Sequence, residues 1–310
     1  MKKHRFSLFV TAASLCFLSQ GAQAQLYISD QNTGVIGAYD PGTGAAINEN
    51  LITGLNSPEG IALSGNDLFV ASFFLGTVGK YDATTGAAIN ASFITGLAFP
   101  VAFALSGNNL YVDSLGGTIG IYDATTGAAI NASLVTGLAN PQGIALSGNS
   151  LFVTTSDNNT VGEYDATTGA AINASFITGL DSPGAIAVSG NNLYVANVNS
   201  SSIGLYNATT GAAISASFIT GLGGPFGIAI LGNSLFETNL GGFPGDGSVG
   251  EYDATTGAAI NSTLVTGPGL YQTLGVAVRP VPEPSTWALL GLGLPALLGA
   301  ARRRGCGRSQ

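Results

Sequence analysis

The central part of this chain has no cysteine, no histidine and almost no positive charge. Between residues 25 and 280 the only basic residues are Lys80 and Arg279, against sixteen acidic residues, which gives a net charge of −14. The missing residue types exclude disulfides, thiol catalysis, Cys/His zinc sites and histidine acid–base chemistry from this segment. The acidic balance argues against a nucleic-acid partner, because such a partner needs a basic surface to contact its phosphates.

Charge of either sign is scarce in the chain as a whole. Only 8% of the 310 residues are charged, whereas 45% are hydrophobic. A chain with this much apolar surface folds around a core, so the composition argues against intrinsic disorder. The length suits one large all-β domain or two ordinary domains.

Residues 1–24 have the pattern of a secretory signal peptide. Basic residues at 2–5 precede an apolar run over 6–18, and Ala22 and Ala24 form a small-x-small cleavage pattern. We therefore predict removal of this segment by signal peptidase. A short N-terminal membrane anchor is the alternative, but the run is too short to span a bilayer comfortably.

Residues 281–310 contain three parts in a fixed order. These are the triplet Pro282, Glu283 and Pro284, an apolar run over 287–301, and the cluster Arg302, Arg303 and Arg304. An apolar run of this length predicts a weak transmembrane helix or tail anchor, because stable spanning takes roughly 20 residues. The arginines are expected to stay on the cytoplasmic side.

The ordered tail, behind a signal peptide, closely resembles the PEP-CTERM sorting signal of Gram-negative bacteria. The resemblance implies export through the inner membrane, with transient insertion of the helix there. It also implies recognition by an exosortase-type membrane transpeptidase, which removes the helix near the Pro-Glu-Pro triplet. Delivery to the cell surface or extracellular matrix is the expected result.

The segment between the two ends consists of six similar units. A Tyr-Asp-x-x-x-Gly string, with Asn in place of Asp in the fifth copy, begins at Tyr39, Tyr81, Tyr122, Tyr164, Tyr206 and Tyr252. Periods of 41–46 residues are typical of four-stranded propeller blades and of some helical arrays. No stretch has apolar residues at helical spacing, so we predict β-blades.

The ends of the repeat array indicate how it closes. The first copy begins at residues 26–28 with a second strand, and the last match, residues 275–278, is a first strand with no second strand after it. We predict that these fragments pair and close residues 25–280 into an all-β, six-bladed propeller of four-stranded blades, without exposed edges at the seam. An open β-solenoid is the alternative fold.

The repeats resemble the NHL, YVTN and gluconolactonase-like six-bladed propellers. The likeness rests on Pro141-x-Gly143-Ile144-Ala145, on Leu193-Tyr194-Val195-Ala196, on Tyr164-Asp165 with Thr168-Gly169, and on their equivalents. It covers nearly all of residues 25–280 and implies the fold rather than the activity, since propellers host many functions. Gluconolactonase-like propellers imply one specific alternative, a calcium ion held at the central mouth by acidic and amide ligands.

Two repeated residues have structural explanations. The Asp of the string is expected to accept backbone N–H groups in a tight turn that ends at a Gly with positive φ. Asn207 keeps the acceptor but loses the charge, which favours a turn over a ring of metal ligands. The Gly two residues before each Tyr is expected to allow close approach of neighbouring blades.

The turns divide into an invariant set and a variable set. Turns after the first and third strands are nearly identical between copies, whereas those after the second and fourth strands differ, and the two sets lie on opposite faces of the predicted disc. Diversified loops can form a recognition surface. The candidate ligand-binding residues on this variable face are Glu59, Gln142, Phe226, Asp30, Asn197 and Asn239, with Phe73, Phe74, Phe99 and Phe243 as additional aromatic surface.

Three functions are consistent with the sequence. The leading hypothesis is an exported, non-catalytic propeller that acts as a binding or scaffold protein for a surface polysaccharide or matrix protein. The second is a calcium-dependent, gluconolactonase-like hydrolase, with Glu59, Asp30, Asn197 and Asn239 as candidate ligands. The third is a structural coat component that binds no specific ligand.

Overall fold

A computed structural model describes residues 24–241, 246–267 and 270–280. Ala24–Pro280 forms one compact unit, and the described residues contain twenty-four strands and no helix. The predicted signal peptide except for Ala24, the Pro-Glu-Pro triplet, the apolar run and the arginine cluster lie outside the described residues, as does Phe243. Among the described residues, no helix has the length and hydropathy of a membrane span.

The strands form six antiparallel four-stranded sheets, and each sheet is one blade. The first strands of blades one to six are β24 (Thr273–Arg279), β4 (Pro58–Ser64), β8 (Pro100–Ser106), β12 (Pro141–Ser147), β16 (Pro183–Ser189) and β20 (Pro225–Leu231). The second strands are β1 (Gln25–Asp30), β5 (Asp67–Ser72), β9 (Asn109–Ser114), β13 (Ser150–Thr155), β17 (Asn192–Asn197) and β21 (Ser234–Asn239). The third strands are β2 (Val35–Tyr39), β6 (Thr77–Asp82), β10 (Thr118–Asp123), β14 (Thr160–Asp165), β18 (Ser202–Asn207) and β22 (Ser248–Asp253). The fourth, outer strands are β3 (Ala46–Ile52), β7 (Ala88–Thr95), β11 (Ala129–Thr136), β15 (Ala171–Ile177), β19 (Ala213–Thr220) and β23 (Ala259–Thr266).

The first strands contact one another in an unbroken circle, so they form the inner wall of a six-bladed propeller. The hydrophobic core lies between adjacent blades. At the junction of blades one and two, Tyr27 and Ile36 of blade one pack with Leu68, Val70 and Tyr81 of blade two. Apolar residues on both faces of the second strands are buried because each blade packs against a neighbour on either side.

The ring is closed by pairing of the two ends of the compact unit. In blade one, β1 pairs antiparallel with β24, with Leu26 opposite Val278, Tyr27 opposite Ala277 and Ile28 opposite Val276. This pairing confirms the predicted composite blade and excludes the open solenoid. Closure needs no residue from outside Ala24–Pro280.

The turns after the third strands have the predicted chemistry. Asp82 Oδ1 accepts hydrogen bonds from the backbone N–H groups of Thr84 (3.0 Å) and Thr85 (2.8 Å), and Gly86 has φ of +72°. These hydrogen bonds lower the pKa of Asp82. In blade five, Asn207 accepts the equivalent two bonds at 2.9 Å, so the amide replaces the carboxylate without loss of turn geometry.

The explanation predicted for the repeated Gly before each Tyr is wrong. A Cβ on any of these six glycines would lie only 2.5–2.7 Å from a ring carbon of the Tyr two residues further along the same strand. The glycine therefore makes room for a tyrosine ring that folds back over its own strand. Close approach of blades occurs instead at the inner wall, where a Cβ on Gly60 would lie 2.2 Å from the carbonyl oxygen of Val101.

Replacement of Gly79 by Ala should lower the free energy of unfolding by about 1–3 kcal/mol, because the buried Tyr81 ring has to shift. The cost should largely disappear in a Tyr81→Ala background, which removes the ring. Chemical denaturation of the four proteins of this double-mutant cycle measures the coupling. If Gly79→Ala costs the same stability in both backgrounds, the Tyr81 ring is not the reason for the glycine, and close approach of neighbouring blades would be the explanation.

Candidate functional site

Both ends of the compact unit lie on the face formed by the invariant turns. Gln25, at the start of β1, is paired with Arg279, at the end of β24. In the other five blades this position is the turn between first and second strands, because neighbouring strands are antiparallel. The variable loops after the second and fourth strands therefore occupy the opposite face, away from both Gln25 and Arg279.

Three of the predicted ligand-binding residues hold loops within their own blades. Asp30 Oδ2 accepts the backbone N–H of Tyr271 at 2.5 Å, and its Oδ1 accepts that of Thr33 at 2.8 Å. Asn197 Oδ1 accepts the N–H of Asp181 at 3.2 Å, and Asn239 Oδ1 accepts that of Gly223 at 2.7 Å. In each case the side chain fixes the segment that leads into the first strand of the same blade.

The other three predicted residues lie on inner-wall strands, and two of them line the central opening. Gln142 and Phe226 line a cavity of ≈ 120 Å³ on the axis, whose wall is otherwise formed mainly by glycine, alanine and aliphatic residues. Glu59 is buried and accepts a hydrogen bond from Gln31 Nε2 at 2.8 Å. Burial raises the pKa of Glu59 to about 8, so its carboxyl group is largely neutral at pH 7.

This arrangement does not fit the calcium site that gluconolactonase-like propellers imply. The side-chain oxygens of Asp30 and Asn239 are already engaged by backbone N–H groups, so they are not free to ligate a hard cation. In the described part of the chain, no three acidic side chains gather closely enough to hold a metal ion.

Hydroxyl side chains connect the inner strands of adjacent blades. Ser29 Oγ donates to the carbonyl oxygen of Glu59 in blade two at 2.5 Å, and Thr154 Oγ1 donates to that of Gly184 in blade five at 2.7 Å. Thr238 Oγ1 in blade six donates to the carbonyl oxygen of Leu274 at 3.0 Å. These residues share the fifth position of their second strands, and each donates to a carbonyl group on the first strand of the next blade.

Asp113 has the same position in blade three but makes no such bond. Its side chain is fully buried and neither carboxyl oxygen has a hydrogen-bond partner within 3.5 Å. Burial raises the pKa of Asp113 well above the ordinary value, and the nearby backbone N–H of Ser114 offsets only part of this effect. Glu237 is a second such acid, at a position where the other five blades have Val or Ile. Its Oε2 has no partner, and burial raises its pKa to about 7. An acid inside an apolar strand was the available sequence signal for both.

Among the described residues of the variable face, the most exposed large apolar side chains lie between blades two and three. Phe74 is 68% exposed and Leu75 60%, in the loop after β5, and Phe99 is 47% exposed, in the loop before β8. The Phe73 ring joins the two loops, with its centroid 5.0 Å from those of both Phe74 and Phe99. We refer to Phe73, Phe74, Leu75 and Phe99 as the apolar patch.

Phe99 holds an unfavourable backbone conformation within this patch. Its φ is +61°, at the position before the proline that starts a first strand. The equivalent residues in other blades are Ser57, Asn140, Ser182 and Gly224, all small or suited to positive φ. A bulky residue here costs of order 1 kcal/mol, and such strain is concentrated at functional sites.

Comparison with solved structures supports the fold. The chain matches a protein in a crystal structure of a nidogen/laminin complex with a TM-score of 0.69 and 14% identity, over 83% of this chain and 99% of that one. It also matches the computationally designed Ika8 protein with a TM-score of 0.53 and 15% identity, over 82% and 74% of the two chains. At these identities the likeness concerns the fold alone.

Two protein families match the sequence itself. Residues 280–304 match the PEP-CTERM protein-sorting motif. Together with the propeller, this motif defines a bacterial β-propeller protein exported to the cell envelope or surface. Residues 32–215 match the PQQ_2 family, described as outer membrane protein assembly factor BamB, and the chain belongs to this family. The curated protein sequences contain no match.

The Asp113→Thr substitution should raise the free energy of unfolding at pH 7 by about 1–3 kcal/mol, because it replaces an unpaired buried acid with the hydroxyl found at Thr154 and Thr238. Asp113→Ala is the control that removes the acid without adding a hydroxyl, as at Ala71 and Ala196. Urea denaturation at pH 7 measures both. Lower stability in both variants would contradict this assignment.

The wild-type protein should lose stability as the pH rises from about 4, the range in which unfolded acids ionise, towards 8. The pKa values of Asp113, Glu237 and Glu59 are raised in the folded state, so their contribution is complete below the unfolded pKa and is lost as pH rises through the folded pKa. Denaturation midpoints across this range test the sign. Asp113→Thr should flatten the slope, and an unchanged slope would exclude Asp113 as a source.

Proposed function

We propose that this exported propeller is a non-catalytic binding protein whose variable face docks a second protein of the cell surface or matrix through the apolar patch. Surface polysaccharide is the alternative ligand. The observation that carries the proposal is the exposure of Phe74, Leu75 and Phe99 together, on the face opposite to both ends of the compact unit. Apolar patches on a soluble surface mark interaction sites.

The shape and composition of the patch favour a protein partner. Its exposed side chains come from two loops, and Leu75, one of the two most exposed, has no ring on which a sugar could stack. A projecting cluster of Phe and Leu suits a pocket on another protein, where buried aromatic residues contribute most of the binding energy. The strain at Phe99 supports the same conclusion, because a smaller residue would serve the fold better.

The family relationship supports a role among envelope proteins. The PQQ_2 family is described by the name of an outer membrane protein assembly factor, which is a function carried out on other proteins. The sorting motif implies an exosortase-type partner during export. Cleavage by signal peptidase at Ala22–Ala24, processing near Pro282–Pro284 and a Gram-negative source remain predictions.

The Phe74→Ser, Leu75→Ser double variant should lose binding, because it removes the two most exposed apolar side chains of the patch. The compact unit, residues 25–280, is immobilised and exposed to detergent extracts of the envelope from the source cells and, separately, to glycan arrays. We expect the wild type to retain at least one envelope protein, and the double variant should retain at least about tenfold less of it. A loss of this size is expected when an interface loses a central apolar anchor.

The control variants Phe226→Ala and Glu59→Gln change the central opening and should keep full binding. Phe99→Asn, which copies Asn140, should weaken binding without lowering stability, because it relieves the strain at positive φ. Glycan binding that depends on the patch would establish the polysaccharide alternative. If the double variant binds every ligand as the wild type does, the patch is not the site.

A further inference from the structure

Each of the six outer strands carries an exposed isoleucine at the same position. These rim isoleucines are Ile47, Ile89, Ile130, Ile172, Ile214 and Ile260. They are 43–57% exposed, whereas Leu or Phe and Ile or Val near the end of the same strands pack inwards. The ring therefore does not need the rim isoleucines for its own core, yet all six copies have one.

The outer strands also lack the charges that normally protect sheet edges. Each outer strand has a neighbour in its sheet on one side only. Edge strands of soluble proteins usually bear charged residues that prevent pairing with other molecules. In the six outer strands the only ionisable residue is Glu49 in β3, although the segment 25–280 has a net charge of −14. The outer strands themselves are thus nearly free of charge, and the nearest acids are those of the turns that precede them, such as Asp82.

The position of Arg279 would align the rims of neighbouring copies if the copies were attached to one surface through their C-terminal segments. The chain continues towards the sorting motif from Arg279 and Pro280, at the end of an inner-wall strand on the invariant face. Copies attached to a surface through this end, before or after processing near the Pro-Glu-Pro triplet, would present the invariant face to that surface, with the attachment point near the inner wall of each disc. The surface that faces a rim in such a layer is the rim of another copy.

We propose that neighbouring copies associate laterally through the rim isoleucines, which gives the exported protein a second function as a layer-forming coat component. Asn90 Oδ1 accepts the backbone N–H of Ser92 at 3.1 Å, and four other outer strands have an equivalent bond. These bonds occupy part of the edge, so the contact is made by side chains rather than by a continuous sheet. One such contact is small, but six per disc act together.

The experiment measures association on a membrane. Residues 25–280 with a C-terminal polyhistidine tag are labelled with donor or acceptor dyes and bound to supported bilayers that contain nickel-chelating lipid. Energy transfer is recorded as the surface density rises. We expect transfer above that of randomly distributed discs, and a change of all six rim isoleucines to Thr should raise the half-maximal density about tenfold or more.

A second set of variants makes the result specific. Phe74→Ser with Leu75→Ser removes exposed apolar side chains from the variable face and should leave the transfer curve unchanged, which separates this inference from the proposed binding function. Changing only Ile89, Ile172 and Ile260 should give an intermediate density. Random transfer by the wild type, or an unchanged curve for the six-fold variant with native thermal stability, would overturn the proposal.

Discussion

The antiparallel pairing of β1 with β24 is the contact on which the rest of this structure depends. The inner wall is a circle of first strands, and one of the six comes from the opposite end of the compact unit. Without it, blade one lacks its inner strand and blades one and six lose a shared surface. The same pairing sets Gln25 beside Arg279, which fixes the face from which both ends of the chain leave.

The two faces of the propeller differ in how their turns are built. On the invariant face, side chains such as Asp82 accept hydrogen bonds from backbone N–H groups of their own turns. The same turn sequence can therefore join the third and fourth strands in every blade. On the variable face, Asp30, Asn197 and Asn239 secure the loop entrances, and the loops beyond them are free to differ. The apolar patch arises where two such loops, around Phe74 and Phe99, meet at one blade junction.

Sequence reasoning recovered most of the fold because the repeats made each local pattern visible six times. The strands, the turn chemistry of Asp82 and Asn207 and the closure of the ring followed from period and pattern alone. The candidate site was harder, because proximity to the mouth does not reveal whether a side chain is already engaged. Asp30 looked like a free ligand, yet backbone N–H groups from residues 271 and 272 occupy its carboxylate.

The sequence by itself determined the number of blades, the chemistry of the turns, the C-terminal sorting motif and the offset that closes the ring, since all of these are local or periodic. Three features became visible only in the tertiary structure. They are the Tyr81 ring that requires glycine at position 79, the burial of the Asp113 carboxyl group without a well-placed partner, and the contact between the rings of Phe73 and Phe99. These depend on which atoms meet across a folded strand, a blade junction or two loops. Such distances are set by the packing of the whole ring, so they cannot be deduced from the sequence of any single repeat.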